Sequence, residues 1–143
     1  MTAHHFIIQP GIWIGQGSIR FLDSDEIIRF YTKWNIEKEN DGLKCVQQVE
    51  LDGVEEHVIN KMFVNTIEGD NFAIVLDNAM LGKISGKGVI NTKTIAWEFR
   101  GHAELEGFEI YEIQENGDYL FHAEYLTGTS HRTIVDGRIW KKG

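Results

Sequence analysis

The sequence predicts an all-β protein: an antiparallel up-and-down β-barrel of nine or ten strands, forming one domain over residues 1–143. Three observations carry this expectation. Turn-forming groups punctuate the chain at Asn40-Asp41-Gly42, Asp52-Gly53, Glu68-Gly69-Asp70-Asn71, Asn91-Thr92, Asn116-Gly117-Asp118, Gly128-Thr129 and Asp136-Gly137. Asx-Gly pairs accept the positive φ angles of tight hairpins. The stretches between them are rich in Val, Ile, Thr and aromatic residues, which suit a pleated surface. Those stretches also alternate apolar and polar side chains, the mark of antiparallel strands with one buried face. Sequential hairpins of this kind close into a barrel because closure removes exposed edges. A two-sheet sandwich is the alternative.

Taken in order, residues 11–21 read as the first strand. A short helix or turn over Leu22 to Glu26 precedes a second strand. There Ile27, Phe30, Tyr31 and Trp34 also fit a helical stripe capped by Ser24, but Ile28, Phe30, Trp34 and Ile36 fit a strand. The absence of Ala and the aromatic and β-branched content favour the strand. Residues 43–51 set Leu43, Cys45, Val49 and Leu51 against Lys44, Gln48 and Glu50, with Val46 and Gln47 breaking the pattern. The run Gly82-Lys83-Ile84-Ser85-Gly86-Lys87-Gly88 lacks a Gly-Lys-Ser/Thr ending and a βαβ setting, so it reads as a kinked strand rather than a phosphate loop. Residues 94–100 place Ile95, Trp97 and Phe99 on one face; residues 119–125 do the same with Tyr119, Phe121, Ala123 and Tyr125.

Composition narrows the function classes. Twenty-two acidic residues against 14 basic ones give a net charge of −8, a poor match to nucleic acid or an anionic membrane. No segment approaches the roughly 20 apolar residues of a membrane-spanning helix. The opening Met1–Pro10 run carries no Lys or Arg and reads as neither signal peptide nor anchor, so a cytoplasmic location is expected. A homodimer is kept as an alternative. The single cysteine, Cys45, excludes an intramolecular disulfide and a multi-Cys zinc site, and is expected to be a free, half-buried thiol.

The run Gly11-Ile12-Trp13-Ile14-Gly15-Gln16-Gly17 is the most informative stretch. As a strand it puts Trp13, Gly15 and Gly17 on one face. Two strand glycines on one face need a reason: sharp bending at barrel closure, or interior volume left for a ligand or a neighbouring side chain. Gly11-x-Trp13 near the start of a small all-β chain resembles the signature of the calycin superfamily, which holds lipocalins, fatty-acid-binding proteins and nitrobindins. The longer run through Gly15 and Gly17 is similar to the nitrobindin pattern, which continues with Gly, Tyr and Pro where this chain has Ile19, Phe21 and Leu22. The resemblance implies a calycin-type barrel with Trp13 at its closed end. It also implies a basic residue of the last strand, Arg138, stacked over that indole. A haem alternative follows from it too, with His131 in the position of the proximal ligand; otherwise no cofactor is expected.

The functional expectation is a small, largely apolar ligand held inside the barrel. The expected lining is Trp13, Gly15, Gly17, Phe30 and Trp34, with Ile28, and then Trp97, Phe99, Phe108 and Phe121. These are equally the residues of a solid core. A rival reading comes from hairpins centred near Ala103-Glu104 and Asn116-Gly117, which place Glu98 opposite Glu109, Glu109 opposite Glu124, and Tyr111 opposite His122. If that face is internal, Glu98, Glu109, His122 and Glu124 form an acid–base site of isomerase or lyase type, with Arg100 and Tyr111 orienting a substrate. No metal site is expected: His4 and His5 point apart, and no His-x-His pair occurs.

Overall fold

Strands follow one another in the order β1 (Gly11–Phe21), β2 (Ile27–Glu39), β3 (Gly42–Leu51), β4 (His57–Glu68), β5 (Asn71–Asn78), β6 (Gly82–Ile90), β7 (Thr94–Phe99), β8 (Leu105–Ile113), β9 (Tyr119–Thr127) and β10 (His131–Lys141). The structure is a computed structural model; it describes residues 4–102, 105–127 and 131–142, and leaves the side chains of residues 66, 67 and 131 undescribed. Each strand pairs antiparallel with its neighbours in sequence, and β1 pairs with β10, so the sheet closes on itself. The barrel expectation therefore holds, with ten strands and no helix among the described residues.

Local chemistry explains most turns. Asn40, at φ 53°, forms with Asp41 the two-residue link between Glu39 and Gly42. Gly69, at φ 63°, sits in the link between Glu68 and Asn71. The β5–β6 turn was not anticipated; there the Asn78 side chain accepts hydrogen bonds from the backbone N–H groups of Met80 and Leu81. Asp136-Gly137, expected as a turn, lies in the middle of β10, paired with Ser18 and Gly17. Leu22-Asp23 is a turn rather than a helix. The expected turns at Ala103-Glu104 and Gly128-Thr129 lie outside the described residues.

The ambiguous second segment is a strand. β2 turns Phe30, Thr32, Trp34 and Ile36 inward, and Arg29, Tyr31, Lys33, Asn35 and Glu37 outward. The apolar face is thus the inner one, which burial rewards at about 25 cal/mol per Å². Cys45 is fully buried rather than half-buried, and burial pushes its thiol up to about 12, so it is a core residue without nucleophilic character. Strand glycines are met by rings: Gly17 lies opposite Phe30, Gly137 opposite Phe121, and Gly88 opposite Phe72. A Cβ at Gly17 would fall 2.8 Å from the Phe30 ring and 2.2 Å from the Asp136 carbonyl oxygen. A Cβ at Gly15 would fall 2.6 Å from Ile139 Cγ2. These two glycines admit neighbouring strands and side chains; they do not open ligand volume, and that part of the expected lining is corrected.

One end of the barrel is stoppered by the segment before β1. Phe6 is fully buried, with ring centroids at 4.7 Å from Tyr111, 5.2 Å from Trp34, 5.5 Å from Trp13 and 5.6 Å from Tyr119. His4 fastens the stopper: Nε2–H donates to the Asn91 carbonyl at 2.6 Å, and Nδ1 meets the Tyr119 hydroxyl at 2.8 Å. Ile7 holds φ 62°, which costs a β-branched residue roughly 1–3 kcal/mol. Its complete burial offsets this by about 1.5–3 kcal/mol. Trp13 is buried in this end as expected, but Arg138 is not its partner. Alternation puts Ile139 on the inner face opposite Gly15 and Arg138 on the outer face, 4.9 Å above the Trp140 ring.

Phe6→Ala is expected to cost about 3–5 kcal/mol, the range for emptying a buried aromatic site. Urea denaturation followed by tryptophan fluorescence measures it. A loss under about 1 kcal/mol, well below that range, would show that the stopper contributes little to closure.

Candidate functional site

The interior is empty at the other end. The links β1–β2, β3–β4 and β5–β6 fall there, because a meander alternates its connections between ends. A cavity of about 310 Å³ opens between these strands. Its apolar lining includes Ile19, Phe30, Val49, Met62, Phe121 and Val135. A larger hollow, about 480 Å³, lies outside the barrel near Arg29, Asp136 and Arg138, but it is a surface groove floored by Gly17 and Gly137.

Two polar strips face each other across this cavity. β3, β4 and β5 contribute Gln47, Asn60 and Asn78. Gln47 donates to the Thr32 hydroxyl at 3.3 Å, Asn60 donates to Gln47 at 3.2 Å, and Asn78 donates to Asn60 at 3.4 Å. Gln47, which appeared to break the pattern of its strand, is therefore an inward-facing member of a hydrogen-bonded ladder. Five places round the ring, β8 and β9 contribute Glu109 and Tyr125.

Glu109 is the chemically distinctive residue. It is 7% exposed, and the Tyr111 hydroxyl donates to its Oε1 at 2.7 Å. The Tyr125 hydroxyl donates to its Oε2. The Trp97 indole N–H adds a weaker pull, short of a formed hydrogen bond. Desolvation raises the Glu109 pKa, and these donors oppose the rise without cancelling it. The magnitudes agree with that outcome. Removing a carboxylate from water costs several kcal/mol. Two hydrogen bonds to a charged group return about 1.5–3 kcal/mol each. Burial, and then the Glu109 charge, push the Tyr111 and Tyr125 hydroxyls well up, so both remain protonated donors.

The structure separates the other candidates. The β8–β9 link closes with Gln114 N–H donating to the Asp118 carbonyl and Gly117 N–H donating to the Gln114 carbonyl, with Gly117 at φ 91°. This three-residue loop carries a left-handed glycine, not a two-residue turn on Asn116-Gly117. The pairing shifts by one residue, and a one-residue shift exchanges faces. Glu109 thus lies opposite Trp97 and Ala123, Phe108 opposite Glu98 and Glu124, and Tyr111 opposite Phe121. Glu109 and Tyr111 turn inward with the aromatic residues; Glu98, Arg100, His122 and Glu124 face outward. The convergent interior site is corrected accordingly.

Phe108 is corrected too: it is on the outer face, its ring 6.1 Å from His122. Phe30 and Phe121 line the cavity. Trp13, Trp34, Trp97 and Phe99 are buried in the core, and Ile28 is half-buried. Sequence reading missed Gln47, Asn60, Asn78 and Tyr125 as lining. The available signal was a polar residue at an inward parity position, as at Gln47.

Outside the barrel, His122 forms a compact ionic group. Nδ1–H donates to Asp136 at 2.6 Å and Nε2–H donates to Glu124 at 2.8 Å. Glu124 and then Asp136 raise the His122 pKa. Arg132 lies 3.5 Å from Glu124, and Arg20 3.8 Å from Asp136. His131 pairs with Thr127 at the start of β10, but its side chain lies outside the described residues, and the haem expectation with it. Among the described residues no group of three His, Cys, Asp or Glu side chains is disposed to hold a metal ion.

A closed ten-stranded antiparallel barrel, stoppered at one end and hollow at the other, defines a calycin-like architecture. Comparison with solved structures agrees. The chain is similar to the S-type phycobiliprotein lyase CPES from Guillardia theta, with a TM-score of 0.73, 9% identity, and coverage of 94% of this chain and 88% of that one. It is also similar to Rv2717c from M. tuberculosis, with a TM-score of 0.70, 11% identity, and coverage of 94% and 92%. At these identities the likeness is one of fold. No protein-family model and no curated protein sequence matches the chain.

Two pH-dependent contributions to stability follow, both from pKa values raised in the folded state. The Glu109 contribution is present below the ordinary carboxyl value of 4.5 and is lost as pH rises through its raised value. Glu109→Gln is therefore expected to gain stability relative to wild type as pH increases above 4.5. The His122 contribution is present below 6.5 and is lost as pH rises through its raised value. His122→Gln should flatten only that upper window, and weakly, because the side chain is 39% exposed and screened by solvent. Urea titrations across pH 4 to 9, roughly the span of both groups, measure both slopes. Parallel curves for wild type and Glu109→Gln would contradict the first assignment.

Proposed function

We propose that this protein binds a small, largely apolar molecule inside the barrel. The supporting observation is the cavity of about 310 Å³ at the open end, walled by apolar side chains with a few convergent polar groups. Ligand sites are concave, mostly apolar and oriented by few polar contacts, and about 300 Å³ is the small end of their range. Were the barrel a purely structural core, that space would be filled, since interiors pack at crystal-like density and each void forfeits dispersion contacts. The polar strips on opposite walls, Gln47–Asn60–Asn78 and Glu109–Tyr125, supply orientation. The likeness to a phycobiliprotein lyase supports the barrel as a framework and leaves the choice of ligand to this chain's own lining.

Calorimetric titration with 1-octanol tests the reading, because the probe is apolar with one small polar end. Ala123 lines the cavity and is 2% exposed, so Ala123→Phe fills the space from one wall. Wild type is expected to bind, and Ala123→Phe to bind at least roughly tenfold more weakly, with an unchanged near-ultraviolet dichroism spectrum. Absence of binding to wild type, or equal binding by the two proteins, would overturn the interior site.

A further inference from the structure

We infer that the cavity selects a small organic cation: a protonated amine on an apolar body, with its ammonium on the Glu109 carboxylate. This inference rests on the interior-binding reading above and adds the charge of the ligand.

The first observation is a charge imbalance. Glu109 is buried, and the described lining residues of the cavity include no Lys, Arg or His. A buried carboxylate is ordinarily paired. Here it receives only neutral hydroxyl donors, from Tyr111 and Tyr125. Hydroxyl donors on both carboxylate oxygens, Tyr111 on Oε1 and Tyr125 on Oε2, favour the ionised form, against the desolvation that raises the Glu109 pKa in the empty cavity. An ionised carboxylate offers about four acceptor positions, of which the two tyrosines occupy two. An ammonium group brings three donors and no acceptor, which complements what remains.

The second observation is the aromatic character of the same walls. Phe30, Phe121 and Tyr125 line the cavity, and ring faces attract a cation most strongly where water is excluded. An anionic ligand would meet both the carboxylate and the negative ring faces. A neutral one would leave the charge unpaired.

The third observation concerns the mouth and is independent of the interior. Two links at the open end, β1–β2 over residues 22–26 and β3–β4 over residues 52–56, contain no Lys or Arg, while exposed Arg100 follows β7 at the same end and pairs with Glu98. They present Asp25, Glu26, Asp52, Glu55 and Glu56, all exposed. Carboxylates round a low-dielectric opening concentrate cations there and speed their entry, an effect that salt screens.

Matched eight-carbon probes separate the possibilities: n-octylamine, 1-octanol and octanoate, titrated calorimetrically into wild type and Glu109→Gln. Wild type is expected to bind the amine roughly ten- to hundredfold more tightly than the alcohol, and octanoate most weakly. Glu109→Gln should lose that preference while keeping its affinity for octanol. A second variant bears on the mouth alone: Asp25→Asn, Glu26→Gln, Asp52→Asn, Glu55→Gln and Glu56→Gln together. These positions are exposed, so the fold is retained whatever becomes of Glu109→Gln. Stopped-flow association of octylamine should slow in this variant and at high salt in wild type, with octanol unaffected. If wild type binds octanol but binds octylamine no more tightly, the cation inference is overturned and interior binding stands. If neither probe binds, both fall. Unchanged octylamine association in the mouth variant would overturn the electrostatic role of the rim.

Discussion

A pleated strand has only two sets of side chains, and the three-residue link between β8 and β9 selects which set β8 presents to the interior. With Gly117 at φ 91° the pairing centres on Asn116, so Glu109 lies opposite Ala123 and Tyr111 opposite Phe121. A link one residue shorter would have sent Phe108 and Ile110 inside and left Glu109 in water. The buried carboxylate, its tyrosine donors and the polarity of one cavity wall all depend on this single conformational choice. Burying the other set would have gained apolar area. The chain instead keeps Phe108 and Ile110 partly in solvent and places a carboxylate in the core, where desolvation raises its pKa.

The two ends of the barrel treat the same problem in opposite ways. At one end Phe6 enters a ring of Trp13, Trp34, Tyr111 and Tyr119, and His4 ties the segment to Asn91. Packing there is dense enough to hold Ile7 in a left-handed conformation. At the other end no segment among the described residues fills the space, and the inward residues of β3, β4 and β5 turn polar. The Thr32–Gln47–Asn60–Asn78 ladder satisfies its members along one wall, so that wall is polar without leaving those side chains unpaired. The cavity is therefore part of the pattern of inward residues.

Barrels of this architecture differ in what lines them, and at 9–11% identity to its structural neighbours this chain shares a framework rather than a lining. Its own chemistry lies in the contrast between a rim with exposed carboxylates, an aromatic wall and one buried acid. The outer group of His122, Asp136 and Glu124 is a different kind of feature. It joins β9 to β10 through the 2.6 Å hydrogen bond from His122 to Asp136, with Glu124, on β9 itself, at 2.8 Å from the same ring, in a setting where water screens most of the charge.

The sequence by itself pointed to the all-β class, most of the strands, the barrel over a sandwich, and which residues share a face along β2, β7 and β9. Those depend on local alternation and turn chemistry, which each segment states on its own. Trp13 at the closed end was legible from the resemblance of Gly11-x-Trp13 to the calycin signature. Three things were decided only by tertiary structure. The face of β8 followed from a loop conformation, because alternation offers two sets, Phe108 with Ile110 and Glu109 with Tyr111, and apolar content by itself favours the first, which the register keeps outside. The partner of Trp13 proved to be Phe6, since a stopper that enters from outside the sheet has no strand periodicity to reveal it. Arg138 went outward because its parity is tied to Ile139, which the close approach at Gly15 holds inside. Alternation tells which residues share a face; only closure of the ring, with its register carried from strand to strand, decides which face is buried and what meets across the hollow.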